Sequence, residues 1–296
     1  MFRGVNISEV KGMEAFKQEA KEMGMGMKDQ MHAYIYLKWT ARYIHWLRNR
    51  TMPHANADKK KHWEEHYHSK VLPLELAEAI ISLDHDIPLT DLEQIVPYEL
   101  ARDILLSSPT DVALYECGCR ASAKNPCQPT RVCMVIGKPF ADACLEINPD
   151  KTQRATTEEA LKVLREEEAR GHMHTAWFKD VNLGRFYAIC NCCKCCCAGL
   201  QAMNEFGFRM ISPSGYSARL EEDKCKACGK CAKACPFEAI TFEDKKVHFN
   251  YEKCMGCGIC ASTCEQHAWS LVLDAKKGIP MDVSDIPVQK KEAVTT

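Results

Sequence analysis

The spacing of apolar and polar residues predicts helices through the first third of the chain. Residues 1–28 are polar, and Met23-Gly24-Met25-Gly26-Met27 reads as a flexible break. Met31, Ile35, Trp39, Tyr43 and Trp46 then fall near one face of a predicted helix over Gln30–Arg50. Pro53 ends it. Further helical spacing covers Leu74–Leu83 and Leu92–Leu106, with Thr90 and Glu93 as a capping box and Pro97 suited to a first turn. Met1–Tyr115 is therefore expected to be mostly helical. A later helix, Thr157–Arg170, has Thr156 and Glu159 as its capping box and Gly171 as its stop. No window of apolar residues is long enough to span a membrane.

Composition narrows the class. A chain of 296 residues holds two or three domains, and a net charge of −1 gives no global pull toward nucleic acid. Charge is uneven locally. Residues 28–70 are rich in Lys and Arg, whereas residues 73–117 are acidic apart from Arg102. His54, His62, His66 and His68 lie in the basic stretch. His62 and His66 are one turn apart, as paired metal ligands would be, but spacing fixes no third ligand, and a solvated or partner-facing surface is the simpler reading. The 19 cysteines require reducing surroundings or metal. With no signal peptide or lipidation motif near Met1, the expected location is the cytoplasm.

The cysteines then take over the argument. Cys225, Cys228, Cys231 and Cys235 are spaced C-x2-C-x2-C-x3-C and precede Pro236; Cys254, Cys257, Cys260 and Cys264 repeat the spacing 29 residues on. This is the ligand run of a bacterial-type ferredoxin with two [4Fe–4S] clusters, in which the fourth cysteine of each run serves the other cluster. Cluster I is thus assigned Cys225, Cys228, Cys231 and Cys264, and cluster II Cys254, Cys257, Cys260 and Cys235. The second run departs from the first: Glu265 replaces Pro236 and Trp269 replaces Ile240. A carboxylate beside a ligand lowers a cluster's potential, modestly if it is solvated.

A second set is less regular. Cys117, Cys119, Cys127 and Cys133 are followed by Cys190, Cys192, Cys193, Cys195, Cys196 and Cys197. Cys119, Cys127 and Cys133 with one thiolate from the later string would close a third cubane, and Cys117 with the remaining thiols a fourth. Thiolate-only tetrahedral sites also suit zinc. Cys144 lies outside the motifs and reads as a small buried hydrophobe.

The strings Ile95-Val96-Pro97-Tyr98-Glu99, C-x-C-R at Cys117–Arg120, and Ile189-Cys190-Asn191-Cys192-Cys193-Lys194-Cys195-Cys196-Cys197 resemble a family of ferredoxin-like 4Fe–4S dicluster proteins of anaerobic bacteria and archaea. The resemblance covers residues 92–285 and implies iron–sulfur binding. Many members begin with a winged-helix-like segment; the histidine-rich region stands there instead, so no regulatory role carries over.

These readings give an α+β chain: a helical, histidine-rich region (1–115), a cysteine-rich middle domain (116–217), a two-cluster ferredoxin domain (218–275) and a tail (276–296). There is no G-x-G-x-x-G, no Walker A and no complete C-x3-C-x2-C. The expected function is electron transfer, as a subunit or tight partner of a larger oxidoreductase, with a homo-oligomer as an alternative assembly. A reductase with an open-site cluster in the middle domain and an iron–sulfur redox sensor are the competing readings. No acid/base pair emerges, and His172 and His174 read as ordinary residues.

Overall fold

The computed structural model describes residues 13–84, 87–88, 104–106 and 109–283. The N-terminal helices are α1 (Glu14–Glu22), α2 (Met27–Lys38), α3 (Thr40–Trp46) and α4 (Ala57–His66). The single helix expected over 30–50 is broken at Trp39, which adopts φ −125° and ψ 39°. It ends in a π turn over Leu47–Thr51, and Pro53 lies in the short 3-10 turn Met52–His54 that follows. Asn56 starts α4, its side chain accepting a hydrogen bond from Lys59 N. The helix expected at 74–83 is α5 (Leu74–Ser82). That expected at 92–106, with Thr90, Glu93 and Pro97, lies outside the described residues except at 104–106, which are strand.

Strand β1 (Tyr67–Leu72) is followed by the short pair β2 (Ile87–Pro88) and β3 (Ile104–Leu106). Then come β4 (Val112–Glu116), β5 (Arg131–Ile136), β6 (Thr152–Ala155), β7 (Met173–Lys179), β8 (Arg185–Cys192) and β9 (Ile211–Ser212). Seven of these form one sheet in the order β6-β4-β5-β8-β7-β1-β9, antiparallel throughout except for β1 beside β9. The N-terminal region therefore donates a strand to the middle of the chain: β1 pairs with β7 from Tyr67↔Lys179 to Leu72↔His174.

Both faces of the sheet are covered, which is why β7 is buried at every residue. One face packs under α5 and the helix Thr157–Ala169, through Leu76, Ile80, Ile81, Ala160 and Leu164 against Met134, Phe178 and Ile189. The other packs under α1, α2 and the helix Phe140–Ile147, through Phe16, Tyr36, Leu37 and Phe140 against Val135, Trp177 and Tyr187. Helix 157–169 carries the expected capping box: Thr156 Oγ1 accepts from Glu159 N at 3.2 Å, and Glu159 accepts from Thr156 N at 2.8 Å. Gly171, at φ +78°, closes it, with His172 N bonded to Glu167 O.

The C-terminal module pairs β10 (Tyr216–Leu220) with β13 (Trp269–Leu273), and β11 (Ile240–Glu243) with β12 (Lys246–Phe249). Its internal repeat is legible in the backbone. Left-handed conformations occur at Ala227 and Gly256, at Gly229 and Gly258, and at Glu238 and His267, each pair separated by the same interval as the cysteine runs.

Beneath the first face, Arg120 is fully buried and bonded to Glu167, Pro129 O, Asn191 O and His172 Nδ1. Burial alone would raise the Glu167 carboxyl, but His172 and Arg120 hold it below its ordinary range. Glu167→Ala should destabilise the fold by about 3–5 kcal/mol, because it strands a buried guanidinium. The lowered carboxyl stabilises the native state above its unfolded-state pKa, and that contribution fades as pH falls through the native value. Denaturant midpoints measured from pH 7 downward should therefore fall more steeply for the wild type than for the variant.

Candidate iron–sulfur and metal centres

In the C-terminal module the second cysteine run converges with one member of the first. Cys235, Cys254, Cys257 and Cys260 line a common small cavity closed by Phe237, Ile240, Phe249 and Met255. Burial, with Cys260 next, pushes the Cys257 thiol up, and Cys235 and Cys254 add to the effect. Such thiols ionise only when a cation compensates them, which is what iron ligation supplies. Backbone donors repeat as well: Ala239 N donates to Cys235 Sγ at 3.3 Å and Ala268 N to Cys264 Sγ at 3.4 Å. Of the remaining first-run cysteines Cys231 is buried, Cys225 half-buried and Cys228 exposed. Glu265 is exposed and ion-paired to Lys230, so its charge is both screened and compensated. Trp269, the other departure, is buried, and its side chain hydrogen-bonds Cys231.

The middle-domain thiols fall into two groups. Six form a closed ring of side-chain contacts: Cys117 meets Cys119 and Cys133, Cys133 meets Cys190, Cys190 meets Cys192, Cys192 meets Cys197, and Cys197 returns to Cys119. Sheet pairing assembles it. Strand β5 carries Cys133, its neighbour β8 carries Cys190 and Cys192, and the turn after β4 carries Cys117 and Cys119. Neighbouring thiols and burial push five of the six upward, while Cys192 is lowered to about 6 by contacts from Cys190 and Cys197. Metal uptake at the ring must therefore expel protons.

The second group is Cys127, Cys193, Cys195 and Cys196, whose sulfurs all lie within 4.8 Å of one another. A tetrahedral ion with bonds of about 2.3 Å holds its sulfurs about 3.8 Å apart, so this quartet has the size of a single-ion site. Of the partners that spacing suggested for Cys127, the structure thus brings it against members of the Cys190–Cys197 string. Cys144 belongs to neither group. It is buried, its thiol is pushed up to about 11 by burial, and its Sγ lies 3.5 Å from Thr152 Oγ1.

Several supporting residues escaped the sequence reading, though two stood inside its motifs. Asn191, between Cys190 and Cys192, donates to Val132 O and contacts His174 Nδ1 at 2.6 Å; His174 Nε2 lies 3.2 Å from Glu168. Arg120 follows Cys119 and reaches Asn191 O at 3.2 Å. Together they clamp the turn after β4 to β8, fixing the two cysteine segments relative to each other. Gly118 permits the turn to press against α3, where an added Cβ would lie 2.7 Å from Thr40 Cγ2. The rings of His62 and His66 lie 4.2 Å apart at a tilt of 57°, and His66 faces Asp180 at 3.1 Å.

The quartet adjoins the ferredoxin module. Lys194, between Cys193 and Cys195, pairs with Glu238 at 3.3 Å, and Asn204 Nδ2 donates to Pro236 O at 3.0 Å. Pro236 follows Cys235 directly and lines its cavity, and Glu238 stands two residues farther on. Among the described residues no helix is long and apolar enough to cross a membrane.

Residues 217–265 match the family model of the 4Fe-4S dicluster domain. No curated protein matches the chain. The matched segment contains seven of the eight ferredoxin-run thiols in its interior and ends just past the eighth, Cys264. The chain is accordingly an iron–sulfur protein whose C-terminal part is a dicluster domain, joined to a mixed helix-and-sheet body rich in cysteine.

Two outcomes follow from the repeat. Ala227→Gly should be tolerated, since a left-handed backbone suits glycine. Gly256→Ala should cost cluster content or folding, because the new Cβ would lie 2.1 Å from Tyr216 O; iron per chain after anaerobic purification distinguishes them. Trp269→Phe removes a hydrogen bond from Cys231 and should lower the potential of the cluster that Cys231 holds. Redox titration followed by electron paramagnetic resonance checks the sign.

Proposed function

We propose that the chain is a multi-centre electron-transfer protein, working as a subunit or tight partner of a larger oxidoreductase. The observation that carries this reading is the serial arrangement of the thiol sets. The ring takes Cys190 and Cys192 from β8 and Cys197 from the turn after it, and the quartet takes Cys193, Cys195 and Cys196 from that same turn. The quartet loop is held to the segment around Cys235 by Lys194 and Asn204, and Cys228 opens the far side to solvent. Thiolate-ligated iron–sulfur clusters exchange single electrons with little rearrangement. The protein's part is to space, desolvate and hydrogen-bond the sulfurs, and the buried runs and repeated N–H donors do so.

We assign Cys225, Cys228, Cys231 and Cys264 to cluster I and Cys254, Cys257, Cys260 and Cys235 to cluster II, supported by the shared cavity of the latter four. The ring of Cys117, Cys119, Cys133, Cys190, Cys192 and Cys197 is assigned a further iron–sulfur centre, and the quartet a single tetrahedral ion. Exposed Cys228 marks the surface where a redox partner docks, and half-exposed Trp46 on α3 marks a second contact surface. A reductase reading is favoured by one observation, a chamber that opens onto the ring.

Cys235→Ala should remove the signal of cluster II and spare that of cluster I in electron paramagnetic resonance of the reduced protein; the reverse pattern would overturn the crossed assignment. Cys127→Ser should lower the metal content by one ion per chain while sulfide content stays constant. A loss of four irons with matching sulfide would instead make the quartet a cubane site.

A further inference from the structure

The ring forms one end of a chamber of about 590 Å³ enclosed between the N-terminal helices and the sheet. The chamber does not stop at the sulfurs. Cys190 pairs with Thr175 in the sheet, and Lys179, on the same strand, lines the chamber four residues farther along. At the usual strand rise that is about 13 Å from the thiol end. The far end contains no cysteine; His32, Trp46, Trp63 and Asp180 wall it. A ring-bound inorganic centre accounts for one end of this volume and leaves the other to something else.

The far end has a defined chemistry. The Lys179 ammonium sits over the rings of Tyr67 and Tyr36 at 5.1 and 5.6 Å, with the Asp180 carboxylate 3.6 Å away. An ammonium has three donors, and one carboxylate does not use them all. Burial lowers Lys179 although Asp180 opposes it, and His32 is lowered to about 4 by burial and then by Lys179, so His32 is neutral at pH 7. Between the two ends stands a phenol network: Tyr36 Oη meets Tyr187 Oη at 2.8 Å and Tyr67 Oη at 3.1 Å. Tyr187 reaches it because the β7–β8 register skips that residue, passing from Trp177↔Ala188 to Phe178↔Phe186. Flat aromatic walls, a few polar groups and a buried ammonium are the features of a small-molecule site rather than of packing.

We propose that this chamber binds a small aryl carbonyl compound, its ring stacked among the aromatic walls, its carbonyl oxygen on Lys179, and its opposite edge against the metal centre held by the six-thiol ring. The proposal rests on the ring assignment above and extends it to a ligand. Placement follows from complementarity. The carbonyl accepts from Lys179, because the other lining cation, Arg120, is already held by Glu167 and two backbone carbonyls, and the aryl face replaces no hydrogen bond when it displaces water from apolar walls.

The test uses the full, metal-loaded chain under anaerobic conditions, with benzamide and benzoate as probes and acetamide as the control. Saturable binding of an aryl probe by calorimetry, with no binding of acetamide, is expected. Tighter benzamide would identify a neutral carbonyl and tighter benzoate an anion, and either supports the site. Lys179→Met should weaken binding at least ten-fold while iron per chain is unchanged. Met52→Trp, which fills the chamber from its 3-10 turn, should abolish binding and serves if the first variant loses iron. The bound probe should also perturb the spectrum of the ring centre but not of the ferredoxin clusters. Failure of both probes to bind the loaded protein, or binding indifferent to both substitutions, would overturn the chamber while leaving the electron-transfer reading intact. Absence of iron from the ring would instead sink the assignment on which it stands.

Discussion

A guanidinium without any exposed surface holds the middle of this protein together. Arg120 lies beneath the sheet where no water can solvate it, and its charge is tolerable only because Glu167, His172 and two backbone carbonyls meet it there. Arg120 sits in the turn after β4, and its partners come from the loop before β5, from helix 157–169, from the residue before β7 and from β8. The two cysteine segments of the middle domain are distant in sequence, and this node fixes their mutual position. Hydrophobic packing alone would leave them free to slide by a rotamer or a register step. Charge burial makes such a slip expensive.

The ferredoxin module was legible almost completely in sequence, because ligand spacing is a direct record of cluster geometry. The repeat even extends to backbone conformation, with Ala227 tolerating a left-handed turn where Gly256 occupies it freely. The middle domain was legible only as composition. Its ligand sets depend on which strands pair, and C-x-C followed by a crowded string does not encode that β5 lies beside β8. Cys127 was accordingly grouped with Cys119, Cys133 and an unspecified member of Cys190–Cys197, and its sulfur lies within 4.8 Å of those of Cys193, Cys195 and Cys196.

Strand β1 was hidden for a different reason. Tyr67-His68-Ser69-Lys70-Val71-Leu72 follows a basic helix and has no clean alternation, since the sheet is covered on both faces and Lys70 is buried with its ammonium on Pro213 O at 2.9 Å. Missing that strand separates the N-terminal helices from the sheet they cover. The chamber is invisible without it, because its walls come from α2, α3, β7 and β8 together. The helices at 74–82 and 157–169, by contrast, have an apolar stripe, the second also a capping box, and local chemistry was enough to place them.

The position of β1 also bears on how the protein is made. Helices α2 and α3 emerge from the ribosome before any thiol of the ring, and they end as its cover. Cys117, Cys133, Cys192 and Cys197 are each nearly sealed from solvent once that cover is down. The chamber beside them is bounded by that cover, so the cover governs access to the sulfurs. Releasing β1 from β7 would lift the cover, so the pairing of Tyr67–Leu72 with His174–Lys179 is also the seal over the middle-domain thiols.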